Sequence, residues 1–245
     1  MLRIQKYLSE QKICSRREAE ELIRRGLVAI NGEIVREMGV QIDPAKDTVT
    51  ILPRAQHELS EKQSVVIYKP RGIASSRAKD EGKTVYDLFP QHKDLDIVGR
   101  LDKASEGLLL LSNDGVIARS VTGEHHSVEK EYIVTVREDV NAGRLKKLEP
   151  GITLKDGPTL PCKTTFVDTH TFRIVLREGR KHQIRRMCDF LHLTVTSLTR
   201  VRIGPITLSR MKPGDARPLQ PKEITALKSS SASTQPQRPR KPRPR

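Results

Sequence analysis

The sequence predicts an α+β fold in two parts, a small N-terminal unit and a larger domain with a mainly antiparallel mixed sheet flanked by helices. Three observations support this prediction. Several short apolar segments alternate in the manner of strands, whereas only a few segments have helical spacing. The connections between the strand segments are too short for regular helical crossovers, which disfavours a parallel sheet. Apolar residues make up 36% of the 245 residues, enough for a core in a chain of this length.

Residues 1–53 are predicted to fold as a self-contained unit of two helices and short strands. Ser15 has the position of a helix N-cap, and Glu18, three residues later, completes a capping box. The dipeptide Asn31-Gly32 follows a short apolar segment and is a strong signal for a tight hairpin. Local sequence therefore specifies where the second helix begins and where the first hairpin turns.

The rest of the chain divides at two changes in composition. Residues 54–63 are polar and are interpreted as a linker, and residues 64–228 form the larger domain. Residues 229–245 are rich in Ser, Pro and Arg, cannot form a packed core and are predicted to be a disordered basic tail. In the larger domain, strands are predicted at 65–68, 108–111, 130–136 and 172–176, and helices at 84–89 and 182–191.

The charge of the chain points to a polyanionic partner. The formal net charge is +15, and residues 229–245 contribute five basic side chains and no acidic one, so the remainder keeps about +10. Clustered Lys and Arg bind nucleic acid because each neutralised phosphate releases counterions. No apolar run approaches the roughly 18 residues that a membrane span needs, so a membrane partner is not expected.

Other kinds of chemistry find little support in the sequence. Cys14, Cys162 and Cys188 have no metal-ligand spacing and form no even set for disulfides, which indicates reduced thiols in a cytoplasmic protein. The pair His125-His126 lacks a carboxylate or cysteine at ligand spacing and is interpreted as an exposed turn. We therefore expect neither a metal nor a cofactor.

One carboxylate is placed where a reacting group belongs. Asp102 lies in a polar loop that runs into the apolar segment 108–111, at the rim of the predicted core. An aspartate after a strand often caps a turn, and this structural interpretation remains open. The neighbouring Arg100 and the cationic segment 177–186 would keep the carboxylate ionised and fix its orientation.

Several motifs resemble those of a known enzyme family. Residues 99–102 read G-R-L-D, residues 130–132 read K-E-Y, and residues 178–187 read E-G-R-K-H-Q-I-R-R-M. In this order they resemble the signatures of the RsuA-type pseudouridine synthases (RsuA, RluB, RluE and RluF). Residues 15–32, with S-R-R-E-A-E before L-I-R-R-G-L-V-A-I-N-G, resemble the S4 RNA-binding domain. The details are most similar to the RluF branch, which acts on large-subunit (23S) ribosomal RNA.

The resemblance implies an RNA pseudouridine synthase, an isomerase that converts a specific uridine to pseudouridine and needs no cofactor. Asp102 would be the catalytic carboxylate that attacks or deprotonates the ribose, and Arg185 would pair with it. Tyr132 would stack on the uracil and help to remove the proton from C5. The target base would be flipped out of its helix to reach these groups. Judged from the residues alone, Tyr132 could be a core residue and Arg185 a phosphate contact.

The resemblance further implies that a monomeric protein binds ribosomal RNA as a structured stem-loop, either free or in an assembling large subunit. The alternative is a non-catalytic RNA-binding or ribosome-assembly factor. A pure binder, however, has no use for an aspartate among arginines that face an anionic ligand. Arginines gathered on short helices suit contacts to phosphates. The predicted RNA-binding residues are Arg3, Lys6, Arg16, Arg17, Arg24, Arg25, Arg100, Arg180, Lys181 and Arg186.

Overall fold

The computed structural model describes residues 1–123 and 128–230. The predicted α+β fold is confirmed: a small N-terminal unit with its own hydrophobic core precedes a domain built on a nine-stranded sheet. Within these two stretches, no helix is long and apolar enough to cross a membrane. The pair His125-His126 lies outside the described residues.

The N-terminal unit has a pair of packed helices after a short first strand and ends with a third helix. Its elements are β1 (Leu2–Arg3), α1 (Ile4–Glu10), α2 (Arg16–Arg24), β2 (Val28–Ile30), β3 (Glu33–Val35), β4 (Gln41–Ile42), β5 (Val49–Ile51) and α3 (Pro53–Ser60). The capping box is confirmed, because the Ser15 hydroxyl accepts the Glu18 amide at 3.2 Å and the Glu18 carboxylate accepts the Ser15 amide at 2.7 Å. Asn31 and Gly32 both have positive φ and turn β2 into β3, as predicted.

The interpretation of residues 54–63 as a plain linker is wrong for most of the segment, which lies in helix α3. Pro53 occupies the first helical position, where its missing amide hydrogen costs nothing. Ala55 and Leu59, one helical turn apart, pack on the core of the N-terminal unit, and the polar residues form the outer face. The polar outer face of helix α3 thus gives the segment the composition of a linker.

The two parts of the chain are in contact. Lys62 pairs with Glu18 at the start of α2 and also donates to the carbonyl of Asn113 at 3.2 Å. Gly115 faces the capping box so closely that a Cβ there would lie 2.5 Å from the Cβ of Ser15. The N-terminal unit is thus docked on the larger domain through the start of one helix in each part.

The larger domain is a mixed sheet with helices on both faces. The sheet order is β12-β13-β9-β14-β8-β6-β16, with β15 on β14 and β7 on β8, and only the β14–β8 pair is parallel within this described sheet. The strands are β6 (Ser64–Lys69), β7 (Asp96–Val98), β8 (Glu106–Ser112), β9 (Lys130–Val136), β10 (Thr153–Leu154), β11 (Gly157–Pro158), β12 (Lys163–Asp168), β13 (Thr171–Leu176), β14 (Val195–Ile203), β15 (Ile206–Thr207) and β16 (Ala216–Pro218). The helices are α4 (Val85–Leu88), α5 (Gly115–Thr122), α6 (Ala142–Leu145), α7 (Gln183–Phe190) and α8 (Pro221–Ser230).

Strand β8 shows how the sheet is buried on both faces. Leu108 and Leu110 pack towards α5 and α8, whereas Leu109 and Leu111 belong to the core that includes α4, α6 and α7. This alternation is the ordinary period of a strand, and all four side chains are fully buried. The rigid centre of the sheet therefore lies directly after the loop that carries Asp102.

The predicted start of the disordered tail is two residues too early. Ser229 and Ser230 form the end of helix α8, and the Ser229 hydroxyl donates to the carbonyl of Thr225 at 2.6 Å. Small polar residues can close a helix by bonding back to the preceding turn, which composition alone does not reveal. Residues 231–245 lie outside the described part of the chain.

Candidate active site

A cavity of about 1040 Å³ opens over one face of the sheet, next to the loop between β7 and β8. Asp102 lines it from this loop, and Tyr132 lines it from strand β9. The segment between β13 and α7, which carries Lys181 and His182, forms another wall. The structure therefore brings together three regions that are far apart in the sequence, and two of the three predicted catalytic residues line one cavity.

The backbone of the Asp102 loop is held at every carbonyl. A loop with all its acceptors occupied has little freedom to move, and this pre-organises the side chain that it carries. Five groups donate to the six carbonyls of residues 99–104. They are the Arg200 guanidinium (to Gly99 at 2.9 Å and Arg100 at 3.4 Å), the Ser75 hydroxyl (to Leu101 at 2.8 Å), the Ser105 amide (to Asp102 at 3.0 Å), the Gly72 amide (to Lys103 at 2.7 Å) and the Arg185 guanidinium (to Ala104 at 3.2 Å).

Arg200 is the central support of this loop. Only 1% of it is exposed, and besides its two loop acceptors it donates to the carbonyl of Leu108 at 2.7 Å. Gly107 allows strand β8 to lie close to strand β14, because a Cβ at this position would be 2.3 Å from the Arg200 carbonyl oxygen. Gly107 also has φ of +107°, a conformation that favours glycine. Strand β14 thus anchors both the loop and the start of β8.

The Asp102 carboxylate is partly open to the cavity, with 37% of its side chain exposed. Its Oδ1 atom lies 3.4 Å from Nε2 of His182, the residue that precedes helix α7. His182 has a left-handed backbone, with φ of +52°, which turns the chain into the helix at this point. The carboxylate is therefore fixed through its backbone and accessible to a group that enters the cavity.

The direct ion pair expected between Arg185 and Asp102 is not formed. Arg185 instead donates to the carbonyls of Ala104 at 3.2 Å and Val195 at 3.3 Å. Since Ala104 is only two residues from Asp102, Arg185 acts on the same loop but through its backbone. The imidazole of His182 occupies the position beside the carboxylate that was predicted for Arg185.

Tyr132 belongs both to the core and to the cavity. Only 8% of it is exposed, and it packs in the same hydrophobic cluster as Val134 and Val136. On the sheet it lies opposite Ile174 and Arg200. Both interpretations of this residue are therefore compatible with the structure, because one side of a packed aromatic ring can line a binding cavity.

The predicted RNA-binding residues of the N-terminal unit fall into two groups. Arg25 forms two hydrogen bonds to Glu58, at 2.7 and 2.9 Å, and Arg24 pairs with Glu21. Lys6 lies 3.6 Å from Glu10. Arg3, Arg16 and Arg17, together with Arg100 and Lys181 near the cavity, are exposed and have no carboxylate at ion-pair distance in the described stretches.

Arg180 and Arg186 are engaged within the protein. Arg186 donates to both carboxylate oxygens of Asp156, at 2.7 and 3.1 Å. Arg180 donates to Glu178 at 3.0 Å and to the carbonyl of Gly157 at 3.1 Å. Arg180 thus fastens the β10–β11 hairpin to the segment before α7, and Arg186 fastens it to α7 itself. Both guanidinium groups have protein acceptors before any RNA is present.

Three residues at the site were not identified from the sequence: Arg200, Lys130 and His182, all of which line the cavity. Strand β14 carries irregularities in its pairing with β9, which interrupt the alternation that would have revealed an inward-facing Arg200. Lys130 precedes Tyr132 by two residues, so its place on the same face of β9 is a signal that could have been used.

The fold and the site define a class of protein. The family described as RNA pseudouridylate synthase matches residues 63–190, and the S4 domain matches residues 2–49. The chain belongs to the RNA pseudouridine synthases of the RsuA type, which carry an S4 domain at the N-terminus, and it is an isomerase that acts on uridine in RNA.

Named relatives resemble the chain over nearly its whole length. Ribosomal large subunit pseudouridine synthase B of Bacillus subtilis is 35% identical over 239 residues, covering 94% of this chain and 96% of that protein. Dual-specificity RNA pseudouridine synthase RluF of Escherichia coli is 34% identical over 251 residues, covering 99% and 85%. A pseudouridylate synthase of known crystal structure has a TM-score of 0.66 at 32% identity, covering 93% of this chain and 100% of that chain.

Proposed function

We propose that this enzyme isomerises a specific uridine in large-subunit (23S) ribosomal RNA, using Asp102 as the essential group on a base flipped into the cavity. The observation that carries the proposal is a partly exposed carboxylate on a loop whose six carbonyls are all bonded, beside a cavity lined by an aromatic ring. The name of the Bacillus subtilis relative supports the large ribosomal subunit as the source of the substrate. The chain is 35% identical to that protein and 34% identical to RluF, so overall identity does not favour either branch. The assignment to the RluF branch therefore rests on the sequence motifs.

The chemistry follows from the groups that face the cavity. The Asp102 carboxylate attacks C1′ or removes the proton from C2′, and the bond between C1′ and N1 of the uracil breaks. The freed uracil turns, and C5 bonds to C1′ as the Asp102 oxygen leaves C1′ or, on the second route, as Asp102 returns the proton to C2′. Stacking on Tyr132, worth about 1–3 kcal/mol, holds the ring during this turn. The proton of C5 then leaves with the help of Tyr132, and N1 gains a proton, so the product is an isomer of the substrate.

Arg185 acts in this proposal as a positioning residue. Its hydrogen bond to the Ala104 carbonyl fixes the end of the Asp102 loop, and His182 lies beside the carboxylate itself. A loop held in this way keeps the carboxylate oriented without an ion pair to Arg185, and the partly exposed side chain remains accessible to the ribose.

RNA is gripped on two sides of the cavity. Arg16 and Arg17 on the N-terminal helix and Arg100 and Lys181 at the cavity are exposed and suited to phosphates. In this division of the chain, residues 1–53 dock the RNA and residues 64–228 carry out the reaction. The protein acts as a monomer in the cytoplasm, where its cysteines stay reduced; burial raises the pKa of all three thiols, which makes them unreactive.

The test is the release of tritium from transcripts of large-subunit ribosomal RNA labelled at C5 of uridine, with saturating enzyme in a single turnover. Asp102→Asn should reduce the rate by at least about 100-fold while the dissociation constant for the RNA stays within threefold. Asp94→Asn changes an exposed aspartate outside the cavity and should behave as the wild type. Mapping of the product by reverse transcription then identifies the uridine.

Failure of this test has a defined meaning. If the wild type releases no tritium from free or partly assembled ribosomal RNA but binds it, the alternative of a ribosome-assembly factor gains support. Release from transfer RNA transcripts alone would contradict the ribosomal substrate while leaving the reaction intact. Equal release by Asp102→Asn would remove Asp102 from the mechanism.

A further inference from the structure

Lys130 is a buried cation that faces the same cavity as Asp102. It begins strand β9, and because side chains alternate along a strand, Lys130 and Tyr132 point to the same face of the sheet. Only 6% of Lys130 and 8% of Tyr132 is exposed, and both residues line the cavity. Lys130 therefore lines the cavity from the same face of β9 as the ring on which we propose that the uracil stacks.

The surroundings of Lys130 do not compensate its charge. Across residues 1–123 and 128–230, its Nζ atom has neither a hydrogen-bond acceptor nor a carboxylate partner, and Arg200 lies nearby. Burial lowers the pKa of Lys130 to about 8, and the Arg200 guanidinium acts in the same direction. The other deeply buried lysine, Lys69, is different, because it donates to the carbonyls of Pro70 at 3.0 Å and Ile73 at 2.7 Å.

Such a placement destabilises the folded protein, which makes a structural explanation unsatisfactory. A buried charge without a partner costs free energy, and an apolar side chain of similar length would avoid that cost. Lys69 contributes hydrogen bonds to the fold, but Lys130 contributes none within the described residues. The unused donors of Lys130 are best explained by a ligand that supplies an acceptor.

The position of Lys130 selects the part of the RNA that could reach it. The phosphates of the RNA strand remain outside the cavity, where Arg100 and Lys181 are exposed. Lys130 is 94% shielded, so only a group that turns out of the RNA strand can contact its side chain. A flipped base is such a group. Residues two apart on a strand are separated by about 6.5 Å, so a base stacked on Tyr132 extends far enough to meet Lys130 with a carbonyl oxygen.

We propose that Lys130 is a further catalytic residue, whose ammonium group binds a carbonyl oxygen of the flipped uracil and stabilises the anion that forms when the base is detached. This inference rests on the proposed function. When the C1′–N1 bond breaks, its electron pair remains on the uracil and spreads over N1, O2 and O4. The hydrogen bond from Lys130 strengthens as this charge develops, as a donor that stabilises a transition state must.

The electrons and protons of the isomerisation balance without any proton transfer from Lys130. The electron deficiency at C1′ is met by an Asp102 oxygen or by the C2′–H electron pair, depending on which of the two steps Asp102 performs. The uracil anion then donates a pair from C5 to C1′, which displaces the Asp102 oxygen or, on the second route, accompanies return of the proton from Asp102 to C2′. C5 loses its proton, and N1 gains one. Lys130 stays protonated throughout and acts only as a hydrogen-bond donor.

The first experiment compares Lys130→Met, Lys130→Arg and Lys147→Met with the wild type in the single-turnover tritium assay. Lys147 is an exposed lysine outside the cavity and serves as the matched control. Lys130→Met should lose about 100-fold or more in rate at saturating enzyme, keep its dissociation constant for the RNA within threefold and melt at the same or a higher temperature. Lys130→Arg should retain more activity than Lys130→Met, and Lys147→Met should equal the wild type.

The outcomes separate this inference from the function on which it rests. If the wild type is active and Lys130→Met keeps its rate within threefold, the role of Lys130 is wrong and the proposed function stands. A weaker affinity with a normal rate at saturation would indicate a phosphate contact and would also overturn it. If the wild type itself is inactive, the proposed function and this inference fail together.

A second measurement tests the contact itself and does not depend on the stability of one variant. Synthetic stem-loops carry the mapped uridine with sulfur in place of O2 or O4, which weakens hydrogen bonding at that atom. In the wild type, sulfur at the contacted position should slow the reaction, and in Lys130→Met or Lys130→Gln this penalty should disappear. Penalties that are the same in wild type and variants at both positions would refute the contact.

Discussion

The cations of the N-terminal helices and the cations around the cavity are held in opposite ways. On the N-terminal unit, Arg24 and Arg25 remain at the surface and pair with carboxylates of the same unit. Around the cavity, Arg200 and Lys130 are buried and have no carboxylate partner in the described part of the chain. Exposed pairs contribute little to stability, whereas a buried cation needs a defined acceptor.

This difference shows that the number of cations is a poor guide to RNA binding. Several of the predicted RNA-binding residues already have acceptors within the protein, including Arg180 and Arg186, which bond to the β10–β11 hairpin. The buried cations add little to the surface charge, yet one holds the loop that carries Asp102 and the other faces the cavity. Position, and not charge alone, decides what each cation does.

The largest effect should follow from removing Arg200. Arg200→Met leaves three carbonyls without their donor, and we expect the free energy of unfolding to fall by at least about 3 kcal/mol. A misplaced loop should also lower the single-turnover rate by about 100-fold. Urea denaturation and the tritium assay measure the two effects. Arg200→Lys should recover little, because an ammonium cannot serve three acceptors in the same way, and exposed Arg210→Met should be neutral.

The close approach of β8 to β14 can be broken at Gly107. Gly107→Ala forces a Cβ to within 2.3 Å of the Arg200 carbonyl oxygen and should cost about 3 kcal/mol of unfolding free energy. Gly157→Ala is the matched control, because its φ of +105° is nearly the same but nothing lies within 4 Å. It should cost about 1–2 kcal/mol, from backbone conformation alone. Equal losses in the two variants would show that the strand contact is unimportant.

The pH dependence of stability reports the buried state of Lys130. Its pKa is about 8 in the folded protein against an ordinary value of 10.5, so between these values the unfolded chain binds more protons. The penalty for burying the charge is complete below pH 8 and declines as the pH rises to 10.5. The melting temperature of Lys130→Met should therefore exceed that of the wild type most below pH 8, and the difference should shrink above it. A difference that grows with pH would contradict the unpaired state of Lys130.

The smallest effect concerns the exposed arginines and is seen in RNA binding alone. The salt dependence is the slope of the logarithm of the RNA dissociation constant against the logarithm of the salt concentration. Replacing Arg16 and Arg17 by alanine should reduce this slope by about one for each phosphate that is no longer neutralised. Replacing Arg24 and Arg25 should reduce it less, because Glu21 and Glu58 already neutralise them. Filter binding at several salt concentrations makes the comparison. Identical slopes for the two double variants would mean that pairing within the protein does not limit binding.

Much of the fold was predictable because its signals are local. The capping box at Ser15, the hairpin turn at Asn31-Gly32 and the alternation of strand β9 each depend on residues within a few positions of one another. Helix α3 was missed because its buried face consists of only a few small apolar residues in a polar segment. Asp102 and Tyr132 were predicted to be at one site, and both line the cavity.

Motifs and hydrophobic periodicity are properties of short segments, so the α+β class, the family and the carboxylate on which the proposed chemistry depends could all be inferred from the sequence. The way in which that carboxylate is held could not, because it depends on contacts between distant parts of the chain. Arg200 lies about 100 positions from the carbonyls that it binds, and Arg185 is 81 positions from Ala104. Contacts over such separations depend on the register of neighbouring strands, and a shift of one residue would turn every side chain to the other face.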